Sequence, residues 1–138
     1  MPPSAPQADR RLEDLPRDEC LKRLAEQQVG RIAFTREDKI EIRPMSYRML
    51  QGTVVLRTAY GTALDGLDGQ DVVFEIDEAD DRTGTGWSVI VHGTLEETWR
   101  PDELREIRTL GLFSWAPSPR DRILRIWPER ITGRQIVT

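Results

Sequence analysis

Gly86-Trp87-Ser88-Val89-Ile90-Val91-His92-Gly93 is the stretch whose reading decides the fold. Trp87, Val89 and Val91 alternate with Ser88, Ile90 and His92, and this period of two specifies an extended strand rather than a helix. Val72-Val73-Phe74-Glu75-Ile76-Asp77 has the same period upstream, and the turn-rich run 78–86 between them suits a long antiparallel connection. The two strands are expected to pair at the centre of a sheet.

Towards the N-terminus, Pro16 can open a helix, because its missing N–H would be unsatisfied there anyway, and Cys20, Leu21, Leu24 and Ala25 form its apolar stripe. Gly30 ends that helix at or soon after Gln28. Arg31–Thr35 and Ile40–Arg43 alternate about the polar turn 36–39 and predict a hairpin. Pro44 removes a ladder donor, so Pro44-Met45-Ser46-Tyr47 belongs at an edge or a bulge, where backbone groups are open to a ligand. Gln51-Gly52 turns the chain into a strand over Thr53–Thr58. Gly61-Thr62 can cap a helical turn from Ala63 to Leu67, a natural anion site at a strand end.

Towards the C-terminus, Pro101–Ile107 has Pro and acids in its first turn and predicts a helix. Phe113–Pro117 is an aromatic loop. Arg122–Trp127 and Ile131–Val137, separated by Pro128-Glu129-Arg130, predict the last two strands. The pattern amounts to about seven strands with short turns, two or three helices and no repeating βαβ unit. The fold class is mainly β with α (α+β), an antiparallel, barrel-like domain.

The 138 residues suffice for one domain, read as 14–138 behind a flexible tail over 1–13 that is rich in Pro and Ala at its start. Net charge is −4, from 24 acids against 20 bases spread along the chain, so no basic block collects a phosphate backbone and nucleic acid is not an expected partner. No apolar run approaches the roughly 20 residues of a membrane span. With a single cysteine, Cys20, the expectation is a soluble, reduced, cytoplasmic protein.

One histidine and one cysteine cannot build a His/Cys zinc site, and no metal site is expected, although the acidic run 77–81 is either a solvated loop or a weak cation site. There is no Gly-x-Ser-x-Gly elbow, and Gly84-Thr85-Gly86 precedes a strand rather than a helix, so neither a serine hydrolase nor a dinucleotide fingerprint is present. What remains is a set of polar groups at strand ends: Pro44–Tyr47, Arg57-Thr58, Gly61-Thr62 and Trp87-Ser88. Backbone amides, an arginine and hydroxyls so placed can grip a flat heteroaromatic ring and its phosphate tail, which suits a cofactor that performs its own chemistry. Against this, Cys20 reads as a buried helix residue, and His92 as either a structural strand position or a cleft residue. Trp87 and Trp115 read as core, dimer or cofactor contacts, and Arg57 as a solvated strand arginine or a ligand contact.

The series Val29-Gly30-Arg31-Ile32, Pro44-Met45-Ser46-Tyr47, Leu56-Arg57-Thr58, Gly61-Thr62-Ala63-Leu64, Phe74-Glu75-Ile76-Asp77 and Gly86–Gly93 resembles the pyridoxamine 5'-phosphate oxidase-like family of flavin-binding split barrels, its small actinobacterial members above all. The resemblance runs from about Asp18 to Arg134, with Trp115-Ala116-Pro117 and Ile131–Arg134 similar to the family's C-terminal end. It implies a split β-barrel homodimer with flavin mononucleotide (FMN) in each of two clefts between subunits. By position, Pro44, Met45, Ser46 and Tyr47 border the ring, and Arg57 and Thr58 its pyrimidine side or ribityl chain. Thr62 meets the phosphate, Ser88 lies near the ring, and Trp87, with Trp115, walls the cleft. The activity implied is that of an FMN-dependent oxidoreductase passing electrons from a reduced nicotinamide to a small acceptor. Two departures qualify it. Ala63 stands where many relatives have a lysine that pairs with the phosphate, which leaves Arg120, Arg122 or Arg134 as substitutes and keeps deazaflavin or heme as alternative ligands. No histidine follows His92, so the Arg-x-His substrate element of true pyridoxamine phosphate oxidases is missing. A dimeric, non-enzymatic binding or stress protein with a vestigial cleft is the remaining alternative.

Overall fold

Strand periodicity puts one face of almost every strand inside a closed barrel. The computed structural model describes residues 10–59, 63–112 and 121–138. The chain runs β1 (Arg11–Leu15), α1 (Arg17–Glu26), β2 (Val29–Arg36), β3 (Lys39–Leu50), β4 (Thr53–Ala59), β5 (Asp71–Asp80), β6 (Thr85–Glu97), α2 (Pro101–Arg108) and β7 (Asp121–Val137). All pairings are antiparallel, in the order β1-β7-β4-β3-β2-β5-β6, and β6 returns to pair with β7. That last pairing closes the ring and leaves β1 as an appended strand. The expected α+β split-barrel architecture is therefore present.

The paired strands at the centre are β5 and β6, in register from Asp71↔Thr94 to Asp80↔Thr85. Val89 and Val91 are buried as their alternation requires, and Trp87 packs against the same core. Phe74, Ile76, Ile32, Leu56, Leu124 and Ile126 meet them inside the barrel, and Cys20 and Leu24 of α1 join the same core. A second, smaller cluster forms where α2 lays Ile107 over Val55 of β4 and Ile123 of β7. Two-residue loops make the β2–β3 and β3–β4 hairpins, with positive φ at Glu37, Asp38, Gln51 and Gly52, the backbone that tight hairpin turns demand.

Three expectations change. Residues 11–13, read as tail, belong to β1, which pairs with Gly133–Val137 and gains its ladder from a strand over a hundred positions away. The last two strands are one 17-residue strand, β7, running through Pro128. Proline is tolerated there because the flank it would donate to changes partner, from β4 at Ile126 and before to β1 at Gly133 and after. On the other flank the register with β6 slips between His92↔Arg130 and Gly93↔Pro128, leaving Glu129 as the extra residue of a bulge. Gly93 permits that close approach, since a Cβ there would lie 2.4 Å from the Trp127 carbonyl oxygen. Finally, residues 63–66 form turns rather than a helix, so among the described residues no helix N-terminus follows β4 at that strand end.

Candidate functional site

β3 gives the site its shape. It pairs with β2 from Lys39 to Ser46 and with β4 only from Tyr47 to Leu50. The β3–β4 ladder stops at Tyr47↔Leu56, and beyond it the two strands part. Met45-Ser46 on β3 and Arg57-Thr58 on β4 lie immediately past that last pair, with Pro44 next along β3, on the two lips of the opening. Pro44 sits on an edge, as expected, and not at a bulge.

Alternation then divides the four residues of the β3 lip. Pro44 and Ser46 are exposed on the outer face, whereas Met45 packs against the barrel core. Tyr47 is wholly buried, its ring edge-on to Phe74 at 4.8 Å and its hydroxyl donating to the Leu24 carbonyl at 2.5 Å. Burial pushes its phenol above the usual range. The Tyr47 side chain is thus a core element, and the lip offers a ligand the backbone and the outward residues. On the β4 lip, Arg57 donates from Nη2 to both Asp121 carboxylate oxygens, at 3.0 and 2.9 Å, with its side chain only 10% exposed. Thr58 is half-buried, in register with Arg122.

The turn after β4 is held from two strands. Arg36 of β2 donates to the carbonyls of Ala63 and Asp65, both at 2.7 Å. Arg122 of β7 donates to the carboxylates of Asp65 and Glu97. Of the cations considered to replace a lysine at position 63, Arg122 is therefore matched by two acids at this turn, and Arg134 is exposed, 3.7 Å from Asp14. Arg120 lies outside the described residues, as do Thr62 and Trp115. Arg36, which the sequence did not single out, is a second cation in contact with the Ala63 turn, beside Arg122.

Trp87 and Ser88 line a groove of about 580 Å³ at the far end of β6, with Asp77, Arg134, Gln135 and Ile136. Arg23 of α1 lies over the Trp87 ring, 4.7 Å from its centre. Within one chain β2 and β5 lie between this groove and the β3 lip, a separation of three strand spacings, about 14 Å. One subunit does not bring the two together.

The outer face between them carries a cluster that the sequence reading passed over. Along one row, Pro44 of β3, Arg31 of β2, Glu75 of β5 and Ile90 of β6 are register partners. Arg31 donates a single nitrogen, Nη1, to Glu75 and to Asp77, at 3.1 Å each. The signal was present, since acids two apart in a strand share a face; the arginine that joins them comes from 44 positions away. Burial, then the hydrogen bond and like charge of Asp77, push the Glu75 carboxyl up to about 7, with Arg31 opposing.

A carboxyl held above its ordinary 4.5 binds its proton more tightly in the folded state, so it favours folding at low pH and its contribution is lost as pH rises through 7. Glu75→Gln is therefore expected to stabilise the protein by about 1–2 kcal/mol at pH 8, a figure reduced for the solvent screening of a half-exposed Arg31. The gain shrinks to a few tenths of a kcal/mol near pH 4.5. Urea unfolding of both proteins at the two pH values measures it.

Among the described residues no group of three or more His, Cys, Asp or Glu is placed to hold a metal ion, and no helix is long and apolar enough to cross a membrane. The family model described as pyridoxamine 5'-phosphate oxidase matches residues 16–135. An uncharacterized protein of Mycobacterium tuberculosis is 34% identical over 97% of this chain and 91% of its own length. The structure of an FAD binding protein from Mycobacterium smegmatis superposes with a TM-score of 0.78 at 31% identity, covering 89% of this chain and 98% of that one. A conserved protein of unknown function from Corynebacterium diphtheriae gives 0.79 at 31% identity, covering 91% and 98%.

Proposed function

The chain belongs to the pyridoxamine 5'-phosphate oxidase-like family, and from that premise we propose that it is a flavoprotein oxidoreductase holding FMN at the opening between β3 and β4. The observation that carries this reading is the parting of those strands beyond Tyr47↔Leu56, which leaves an edge of backbone and short polar side chains beside a covered core. Such an edge fits a flat ring with donors and acceptors on its rim: Pro44 and Ser46 border the ring, and the Arg57–Asp121 pair and Thr58 face its polar side. The Arg36-held turn would hold the phosphate, with Thr62 as the resemblance implies. Bound flavin supplies reversible two-electron chemistry, here between a reduced nicotinamide and a small acceptor. The chain's own contribution is to orient the ring, exclude water from one side of it and hydrogen-bond its rim.

In this reading the cleft is completed by a second copy. Trp87 and Ser88 stand three strands from the lip of their own subunit, so they reach a ring only as the partner's wall. The partner's cover falls on the outer face, where Ile40, Ile42 and Val29 are 84%, 57% and 58% exposed. Vitamin oxidation is not proposed, because no histidine follows His92.

The test is a titration of the purified protein with FMN, followed by flavin fluorescence and the visible spectrum, with sedimentation of the same samples. Saturable binding of one FMN per chain by a dimer, and bleaching of the flavin on adding a reduced nicotinamide, are expected. A monomer, or a protein that leaves FMN free in solution, removes the proposal. The Mycobacterium smegmatis relative binds FAD, so FAD is titrated alongside, and tighter FAD binding would change the nucleotide and keep the cleft.

A further inference from the structure

We propose that Glu75 is the proton-linked contact of the cleft, meeting the ligand as a neutral carboxyl that donates one hydrogen bond to an acceptor atom on the rim of the ring. This rests on the flavin reading above and names a residue that neither the family resemblance nor the sequence motifs assign.

The argument is one of charge and position. Two carboxylates, Glu75 and Asp77, share one guanidinium nitrogen of Arg31, so the cluster carries one negative charge more than it can balance. Its other neighbours on that face do not supply the missing cation: β3 presents Pro44 and β6 presents Ile90 and Ser88. Among the described residues, the other charged or titratable groups near this row on the same face are Asp71 of β5, level with Thr94, His92, level with Val73, and Arg130 and Arg134 of β7, which lie beyond β6. In the isolated chain water screens the excess charge, because Arg31 is half-exposed.

A planar ligand or partner surface laid over this row removes that water. The least costly response of an unbalanced carboxylate losing its solvent is to take up a proton. Glu75 is the member that does so, being the more buried of the two acids, with its side chain 28% exposed against 43% for Asp77. The neutral carboxyl then has an O–H to donate, which an ionised one lacks. Two strand spacings, about 10 Å, separate Glu75 from Pro44 on the lip, a span that a fused three-ring system covers.

The experiment is calorimetry of FMN binding to the full-length protein at pH 8, in two buffers of different ionisation enthalpy, comparing the wild type with Glu75→Gln. The wild type is expected to take up close to one proton more per FMN than the variant, and its affinity to weaken by up to tenfold per pH unit above neutrality. Glu75→Gln, permanently neutral and still a donor, is expected to lose that dependence and to bind at pH 8 as tightly as the wild type does near pH 6.5. The FMN phosphate titrates alike in both proteins and cancels in the difference. Asp77→Asn provides a second measurement if the first variant folds poorly: with the like charge gone, proton uptake falls. Equal uptake by wild type and Glu75→Gln, or by Asp77→Asn when that variant is used, overturns this inference and leaves the flavin reading standing. A wild type that does not bind FMN overturns both.

Discussion

Arg122→Met is expected to destabilise the protein by about 3–5 kcal/mol, the cost of stranding a buried charge rather than of losing a surface pair, which is worth under about 1 kcal/mol. Arg122 is 9% exposed and the Glu97 side chain 3%. Its guanidinium serves Glu97 Oε1 and Asp65 together, and the other Glu97 oxygen is buried with no hydrogen-bond partner among the described residues. Methionine fills much of the arginine's volume, so packing changes little and the loss is electrostatic. Arg122→Met combined with Glu97→Gln is therefore expected to recover most of the loss, since a buried neutral amide costs far less to desolvate than an unpaired carboxylate. Urea unfolding reads both, as a shift in midpoint at constant slope. A double variant no more stable than the single one would show that Arg122 acts through packing or Asp65 alone. The turn that Asp65 belongs to also carries Ala63, so this pair joins barrel stability to the loop proposed to meet the phosphate.

Phe74→Ala is expected to cost about 3–5 kcal/mol as well, for a different reason. Phe74 has no exposed surface and its ring meets Tyr47 edge-on at an interplanar angle of 70°. The ring presses on Gly30, where an added Cβ would come within 2.3 Å of it. On that side there is only backbone to fill the space, and that backbone is committed to Met45 of β3. On the other side Tyr47 is tied to Leu24 by its hydroxyl. Neither neighbour can move in, so the cavity persists and the cost belongs in the upper part of the range. Denaturant unfolding measures it, and a loss under about 2 kcal/mol would mean that the barrel collapses around the site.

Much of the fold was legible because strands write their faces into the sequence. Val89 and Val91 alternate with Ser88 and His92, and the former are buried. The polar turn 36–39 and Gln51-Gly52 fell where the hairpins reverse. Pro44 was placed on an edge because a residue without an N–H has few other places in a sheet. The errors came where local pattern and tertiary pairing disagree. Pro128 reads as a strand break, yet β7 passes through it because its partner changes there. Arg11–Glu13 read as tail because nothing local distinguishes a strand that exists only by pairing with the chain's last residues. Gly61-Thr62 reads as a helix cap, while Arg36, Arg122 and the buried Leu64 and Leu67 hold the residues after it as turns.

The amino-acid order by itself determined the class of the protein: antiparallel strands around one core, the family, and the short list of polar stretches at strand ends. Each follows from periodicity, turn chemistry or motif spacing, which are local properties of the chain. Only the tertiary structure decided which face of each strand is the inside, and hence that Tyr47 is core while Pro44 and Ser46 are lip. It alone decided that Arg57 meets Asp121 across 64 positions and that Arg31 joins Glu75 to Asp77. Alternation states which residues share a face; the closure of β6 onto β7 states which face is dry, and charge pairs follow from that closure.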